Sequence, residues 1–507
     1  MEEAKTKGQS EDKLRVGRLA QWFDARLGLS YDLLRPVPEY ALSPFYWLGA
    51  LAVVAFVIQG ITGTIMMLYY VPSPSQAYSS TMYIFNNVSY GRFLETVHLY
   101  TAYAMIMLAF MHLMRGYFVS VHRKPREVMW IVGMIMGFVT LGFGFTGYLL
   151  PWTVVSKSAT DVGIGMINAL PPQVSSFLSF LIVGGGGDSA ELLRFYDLHV
   201  VVLPAVLLLL LAVKMYMLET HGISGSGQRD DTSSKKMIPI FPDASFYVLE
   251  LAALFGAVML LVSVLFPLSL PPEYTPQLAA QSVAQPDWYF LWLYQILKIS
   301  VFEGAGLPIA LSLVTILFVA IFLLPFIDRT GGEERSMSRR PRYVTLGAIF
   351  IAELVTLAYW GEITPGQVIP TEQAVLVLGG IALLVTVVSF LLYRLTYGRK
   401  QKSSPARDQR SAPTLRSTAA LAGALFATLA GLGALLIGDS INAVAKIVSG
   451  SATPLALILP LTGLVVFLFV TVYLLYRMDL AHGMIRRRVR ALEVGWSDAR
   501  PSEDQTK

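Results

Sequence analysis

The sequence predicts an all-α, polytopic membrane protein of about ten transmembrane helices, the first four forming an N-terminal four-helix bundle. Two observations of composition and length carry the class. Of 507 residues, 54% are apolar and only 14% charged, where a soluble domain has ~25% charged. Apolar runs of about 18–25 residues recur, and at ~1.5 Å per residue each can cross a ~30 Å hydrocarbon core. A third observation is the alternation of basic and non-basic loops between those runs.

The candidate spans, in order, are about 45–70, 92–118, 127–149, 194–218, 245–268, 305–326, 342–361, 374–395, 416–437 and 456–477. Connections on one side carry HRKPRE (122–127), Lys235 and Lys236, RTGGEERSMSRRPR (329–342) and RLTYGRKQKSSPARDQR (394–410). The tail adds HGMIRRRVR (482–490), while the loops VPSPSQAYSSTMYIFNNVSYG, EITPGQVIPTEQ and SINAVAKIVSGSATP are poor in Lys and Arg. The positive-inside rule therefore puts both termini in the cytoplasm, and the expected location is a prokaryotic cytoplasmic membrane. The net charge of +5 is loop bias, not a nucleic-acid footprint. The absence of cysteine excludes disulfides, iron–sulfur clusters held by this chain and covalent haem. The first residues, MEEAKTKGQSEDK, lack the apolar stretch of a cleavable signal peptide.

Proline, glycine and charge divide the chain. The expected parts are a cytoplasmic segment 1–43 with a candidate amphipathic surface helix, a four-helix module 44–221 and a polar linker 222–236. A second module, 237–397, is followed by a basic linker 398–415, two additional spans within 416–478 and a cytoplasmic tail 479–507.

Four residues give the first module its chemistry. His98 and His112 stand 14 residues apart in one apolar run, and His199 is followed 15 residues later by Lys214 in another. These spacings span ~21 and ~22 Å along a helix. Side by side, the two helices would face His98 to His199 near one surface and His112 to Lys214 near the other. A single membrane histidine is commonly a structural one bonded to a neighbour. Three at matching depths suit axial ligation of two stacked b haems. Gly49 and Gly63, with Gly144 and Gly147, would let a flat macrocycle approach the backbone, although glycine also serves helix packing. Lys214 has two readings: a lysine snorkelling to the surface, or a neutral amine ligand whose coordination offsets its desolvation. Met215 and Met217 are alternative soft ligands pointing elsewhere round the helix. A five-coordinate inner haem, or none, also stays open.

A second constellation is QPDWYFLWLYQILK (285–298). Pro286 and Asp287 introduce Trp288, Tyr289 and Phe290. A carboxylate beside flat rings suits a pocket that takes a proton from a quinol. An interfacial aromatic belt would look the same and need no active site.

These motifs resemble cytochrome b of the quinol–cytochrome c and plastoquinol–plastocyanin oxidoreductases. The first ~220 residues are similar to the short chloroplast-type form: IQGITGTIMMLYY (58–70), His98/His112, KPRE (124–127), GFTGYLLPW (144–152) and RFYDLH (194–199). Residues from 237 to about 360 resemble its companion subunit, with IPIFPD (238–243), PDWYF (286–290) and PFIDR (325–329). The resemblance implies that His98 and His199 hold the iron of an outer haem, and that His112 and Lys214 hold that of an inner one, Lys214 replacing the usual histidine. It implies that Asp287, with Tyr289 and Tyr148, serves quinol oxidation beside Pro286, Trp288 and Phe290. The aspartate, where glutamate is usual, points toward menaquinol. Residues 153–180 would be amphipathic outer helices walling that pocket. Arg115 would face an inner propionate, and a quinone-reducing site would involve Trp22, Phe23, Arg115 and Lys124.

The implied activity is that of a respiratory electron-transport subunit, catalytic only within a complex. Quinol is oxidised at the outer side, and its electrons divide between a Rieske iron–sulfur protein feeding a c-type cytochrome subunit and the two b haems. Protons leave outside and enter inside. A dimeric complex in lipid is expected. Two departures stand out: Glu95 where an arginine is usual, with Arg92 as its substitute toward a propionate, and Trp47 where the chloroplast form has a haem-anchoring cysteine. The alternatives are a non-bifurcating quinol-oxidising cytochrome b with another acceptor and, more remotely, a non-redox assembly or transport subunit.

Overall fold

Long apolar runs close their backbone hydrogen bonds within themselves, so in a membrane they form helices. The computed structural model describes residues 36–38, 42–185, 187–221, 237–240, 244–328 and 340–397. Among them, seven helices are long and apolar enough to cross a membrane. The expected spans at 416–437 and 456–477, and the segments around Trp22 and Phe23, lie outside the described residues.

The first module contains α1 (Leu48–Met67), α2 (Ala77–Asn87), α3 (Gly91–Phe118) and α4 (Glu127–Leu149). The connection after α4 holds α5 (Val154–Asn168) and α6 (Pro172–Leu178), where outer surface helices are expected. The fourth span is one rod: α7 (Asp188–Asp197), a π-helical turn at Leu198–Val202, then α8 (Leu203–His221). It starts earlier than the expected residue 194. The connection 71–91 is not all loop, because α2 occupies its middle. Its Ser, Thr and Asn content conceals a helix. The α2–α3 turn needs Gly91, since a Cβ there would lie 1.8 Å from the Ile84 carbonyl oxygen.

The second module has α9 (Ser245–Leu265), the short α10 (Pro276–Ala279), α11 (Trp288–Leu297) and α12 (Leu307–Phe322). After it come α13 (Leu324–Ile327), α14 (Pro341–Ile363) and α15 (Thr371–Tyr397). The expected single span 305–326 is broken at Leu323. Pro325 has no N–H to continue the ladder, so the chain restarts as a separate turn. A three-residue antiparallel pairing joins Pro36–Pro38 to Met237–Pro239, with Val37 opposite Ile238. It ties the N-terminal segment to the start of the second module and leaves the fold all-α in character.

The bundle core is thin. Leu48 and Leu51 of α1 pack on Leu108 of α3, while Ala55 and Met105 meet Leu207 of α8. Large apolar residues such as Ile61, Leu208, Leu209 and Leu376 are exposed instead. That inverts the soluble pattern and fits a lipid-facing surface.

One polar staple closes the α3–α4 turn. The Asp328 carboxylate is fully buried and bonded to His122 Nε2 at 2.8 Å and Arg123 Nε at 3.1 Å. Tyr343 donates to it at 3.0 Å, and Arg340 bridges it to Ser120. PFIDR and HRKPRE, distant in sequence, thus meet in one charge cluster.

Candidate functional site

The four candidate ligands each rest on a glycine of a neighbouring helix. A Cβ on Gly63 would lie 3.2 Å from His98 Cε1, and one on Gly147 would lie 2.5 Å from His199 Cε1. At the other layer, a Cβ on Gly49 would lie 3.0 Å from His112 Cε1, and one on Gly133 would lie 3.0 Å from Lys214 Nζ. Glycine pairs spaced like the ligands require α1 to run antiparallel to α3 and α4 antiparallel to α8. Gly144 belongs elsewhere: a Cβ there would lie 2.9 Å from Tyr289 Cε2. It therefore seats the aromatic loop, whereas the sequence reading set it beside a flat macrocycle. Gly133 is the glycine that reading passed over, although it precedes Gly147 by the same 14 residues that separate Gly49 from Gly63.

The π turn explains the unequal ligand spacing. In an unbroken α-helix, residues 15 apart lie ~100° further round than residues 14 apart. The π turn at Leu198–Val202 contains His199 and absorbs one residue. Lys214 thereby falls in register with His112, as His199 does with His98.

The His98 and His199 ring centres are 6.3 Å apart, with the ring planes at 60°. One metal bound to a nitrogen of each ring, with ~2.0 Å bonds and ~1.1 Å from nitrogen to ring centre, would separate the centres by up to ~6.2 Å. The hydroxyl of Thr62 donates to the Ile58 carbonyl at 2.8 Å, so its oxygen accepts from His98 Nδ1 at 2.8 Å. Thr146 likewise donates to the Gly142 carbonyl at 2.8 Å and accepts from His199 Nδ1 at 3.2 Å. Both rings are then Nδ1–H tautomers with the Nε2 lone pair free, the form a metal ligand needs. These residues fit a bis-imidazole haem.

The second layer is less supported by protein bonds. His112 Nδ1 is buried and has no hydrogen-bond partner among the described residues. Lys214 makes no hydrogen bond or ion pair among them, yet lies near enough to His112 to couple electrostatically. A membrane lysine without a carboxylate and a buried imidazole without a partner are both costly. A metal held between them would satisfy both. Arg115 stacks over the Tyr46 ring, 3.9 Å from guanidinium carbon to centroid. Lys124 is exposed in the α3–α4 turn. Glu95 is buried on α3. Arg92 Nε donates to the Leu268 carbonyl at 2.9 Å, and its guanidinium lies over Phe85.

The carboxylate site assembles around the start of α11. Asp287 is its N-terminal flanking residue but does not cap it, because its side chain is engaged elsewhere. Tyr103 of α3 donates to Asp287 Oδ1 at 2.9 Å. The single Tyr289 hydroxyl proton has two acceptors, the Gly144 carbonyl at 3.2 Å and Asp287 Oδ2 at 3.3 Å. Trp288 sits edge-on to Tyr103 and Tyr289 at 6.3 and 5.6 Å. Phe290 lies 4.8 Å from Tyr289 and 6.1 Å from Phe145. Pro286 is buried, and the Tyr148 hydroxyl donates to the Gln285 carbonyl at 3.3 Å. Burial raises the Asp287 carboxyl from its ordinary 3.8 to about 6, against hydrogen bonds from the two tyrosines that lower it. Tyr103 went unread because a tyrosine in an apolar helix carries no pattern of its own. Tyr294 ties α11 to the surface helix α5 by donating to the Ala159 carbonyl at 2.5 Å.

Comparison with known proteins matches two family models. Residues 103–276 match Cytochrome b(N-terminal)/b6/petB, and residues 275–385 match Cytochrome b(C-terminal)/b6/petD. A cytochrome bc complex cytochrome b subunit of Chlorobaculum thiosulfatiphilum is 34% identical over 352 residues, covering 67% of this chain and 80% of that protein. Cytochrome b of Rickettsia bellii is 29% identical over 409 residues, 78% of this chain and 97% of the relative. Cytochrome b6 of Heliobacterium modesticaldum is 38% identical over 190 residues, 37% of this chain and 89% of the relative. A solved structure described as a hyperthermophilic respiratory Complex III superposes with TM-score 0.60 at 25% identity, covering 74% of this chain and 99% of that one.

Proposed function

The chain belongs to the cytochrome b family, and from that premise we propose that it oxidises quinol within a respiratory quinol–cytochrome c oxidoreductase and holds two b haems. The observation that carries this reading is the pair of ligand layers, each side chain backed by its own glycine. His98 and His199 would hold the outer haem, and His112 and Lys214 the inner one. Haem b bound at both layers would supply one-electron carriage across the membrane.

The protein's own part in quinol oxidation is proton handling. Asp287 accepts a quinol proton, more readily at Oδ2, since Oδ1 already takes the shorter Tyr103 bond. A base near 6 is ionised at neutral pH yet holds a proton long enough to pass it on. Trp288, Tyr289 and Phe290 shield the carboxylate and offer flat apolar walls to a quinone headgroup. Tyr148 braces the loop through the Gln285 carbonyl.

The basic loops set the orientation, with termini in the cytoplasm and Asp287 outside. The chain supplies neither an iron–sulfur cluster nor a c-type haem, having no cysteine. The partners that this reading implies are a Rieske protein and a c-type cytochrome, and menaquinol is the quinol suggested by aspartate at position 287. A redox titration of the b-band in the purified complex tests the reading. Two one-electron components, both reduced by quinol, are expected, and a complex without b-type absorbance would overturn it.

A further inference from the structure

Both Asp287 carboxylate oxygens accept from tyrosine hydroxyls, so a proton received there needs a way out. A second carboxylate, Glu362, is tied to the same loop. Gln285, two residues before Asp287, donates from Nε2 to Glu362 Oε2 at 3.1 Å. The same Gln285 accepts from Tyr148 through its carbonyl. Glu362 and Asp287 also interact electrostatically. The loop that bears the proton acceptor thus carries the anchor of a second acidic group.

Glu362 occupies a border. Gly361 before it is buried, a Cβ there lying 3.1 Å from the Leu291 carbonyl oxygen. Glu362 itself is half-buried, Ile363 is exposed, and the following turn 365–368 is exposed. The other charged groups on elements packed against this end of α14 point elsewhere or lie further off. Lys298 donates to the Thr364 carbonyl at 3.2 Å, and Glu372 at the start of α15 is exposed. Glu353 lies further back along α14. Tyr148 and Tyr289 are the neutral hydroxyls on the pocket side.

We infer that Glu362 is the exit carboxylate of the quinol pocket, receiving the proton from Asp287 and releasing it to water at the exposed turn. This rests on the quinol-oxidation reading above. The step is a proton transfer only. Protonated Asp287 returns to carboxylate as Glu362 becomes protonated, and Glu362 then loses that proton to bulk water. Gln285 holds the acceptor in place and carries no proton itself. A mere brace between loop and helix would need only the hydrogen bond.

The test uses the intact complex with excess acceptor. Glu362→Gln keeps an oxygen for the Gln285 amide but cannot take a proton at neutral pH. It is expected to slow sustained quinol oxidation about tenfold, with a smaller loss in the first turnover, and to enlarge the solvent isotope effect. Glu362→Asp restores part of the rate. Wild-type sustained rate and pH profile in Glu362→Gln would overturn the inference, leaving a brace. Asp287→Asn is run in parallel. If it alone slows the first turnover while Glu362→Gln behaves as wild type, the exit role falls and the pocket stands. Wild-type first turnover in Asp287→Asn would overturn the pocket reading and this inference with it.

Discussion

His98 and His199 face each other with ring centres 6.3 Å apart, each ring held at Nδ1 by a threonine that directly precedes the glycine on which the ring rests. Thr62–Gly63 and Thr146–Gly147 therefore do two jobs in adjacent residues. The threonine fixes the tautomer, and the glycine makes room for the ring.

That pairing predicts a selective lesion. Gly147→Ala puts a methyl at 2.5 Å from His199 Cε1, closer than a van der Waals contact allows. The outer b haem should be lost or its midpoint shifted, while the inner component titrates normally. Gly133→Ala meets only the tip of a flexible lysine at 3.0 Å and should be milder. Potentiometric titration of the two b components distinguishes the lesions.

Lys214 gives a second prediction. Lys214→His should keep the inner haem and move its EPR signal toward bis-histidine character. Lys214→Ala should weaken or open the site. Unchanged inner spectra and potential in both variants would remove lysine from the ligand set.

Asp287→Asn should preserve both haems and slow quinol-driven reduction of the outer haem by about 10- to 100-fold, ~1.4 to 2.8 kcal/mol of transition-state stabilisation. The pH dependence has a definite sign. The acceptor must be ionised, and burial raises its pKa to about 6. The wild-type rate should hold above that value and fall as pH drops through it. Stopped-flow reduction across pH checks both, and an asparagine variant with wild-type kinetics would favour a simple aromatic belt.

The Asp328 cluster predicts a loss of stability without a change in haem chemistry. Asp328→Asn removes the carboxylate shared by His122, Arg123 and Arg340. Breaking a buried pair by deleting one partner costs ~3–5 kcal/mol. Thermal inactivation in detergent should occur at clearly lower temperature, with the b-band spectrum unaltered at low temperature.

Seven of the spans and three candidate histidines were legible because membrane helices advertise themselves by length and because histidine is rare in them. The 14- and 15-residue spacings were legible as numbers, but not the π turn that reconciles them, since LHVVV has no sequence mark of a widened turn. Gly133 was within reach of the sequence through its spacing from Gly147. The place of Gly144 against Tyr289 was not legible, since glycines three apart look alike until the partner is seen. Tyr103, Thr62 and Thr146 were not legible, each being one polar residue whose role depends on a ring from another helix. The Gln285–Glu362 contact joins residues 77 apart and could only come from the fold.

The central claim is two b haems in one chain, and haem stoichiometry tests it most directly. Pyridine-haemochrome quantitation of the purified complex, with c-type haem resolved separately, should give two b haems per copy of this chain. A value of one b haem per chain would contradict the paired layers and leave His112 and Lys214 without the metal assigned to them.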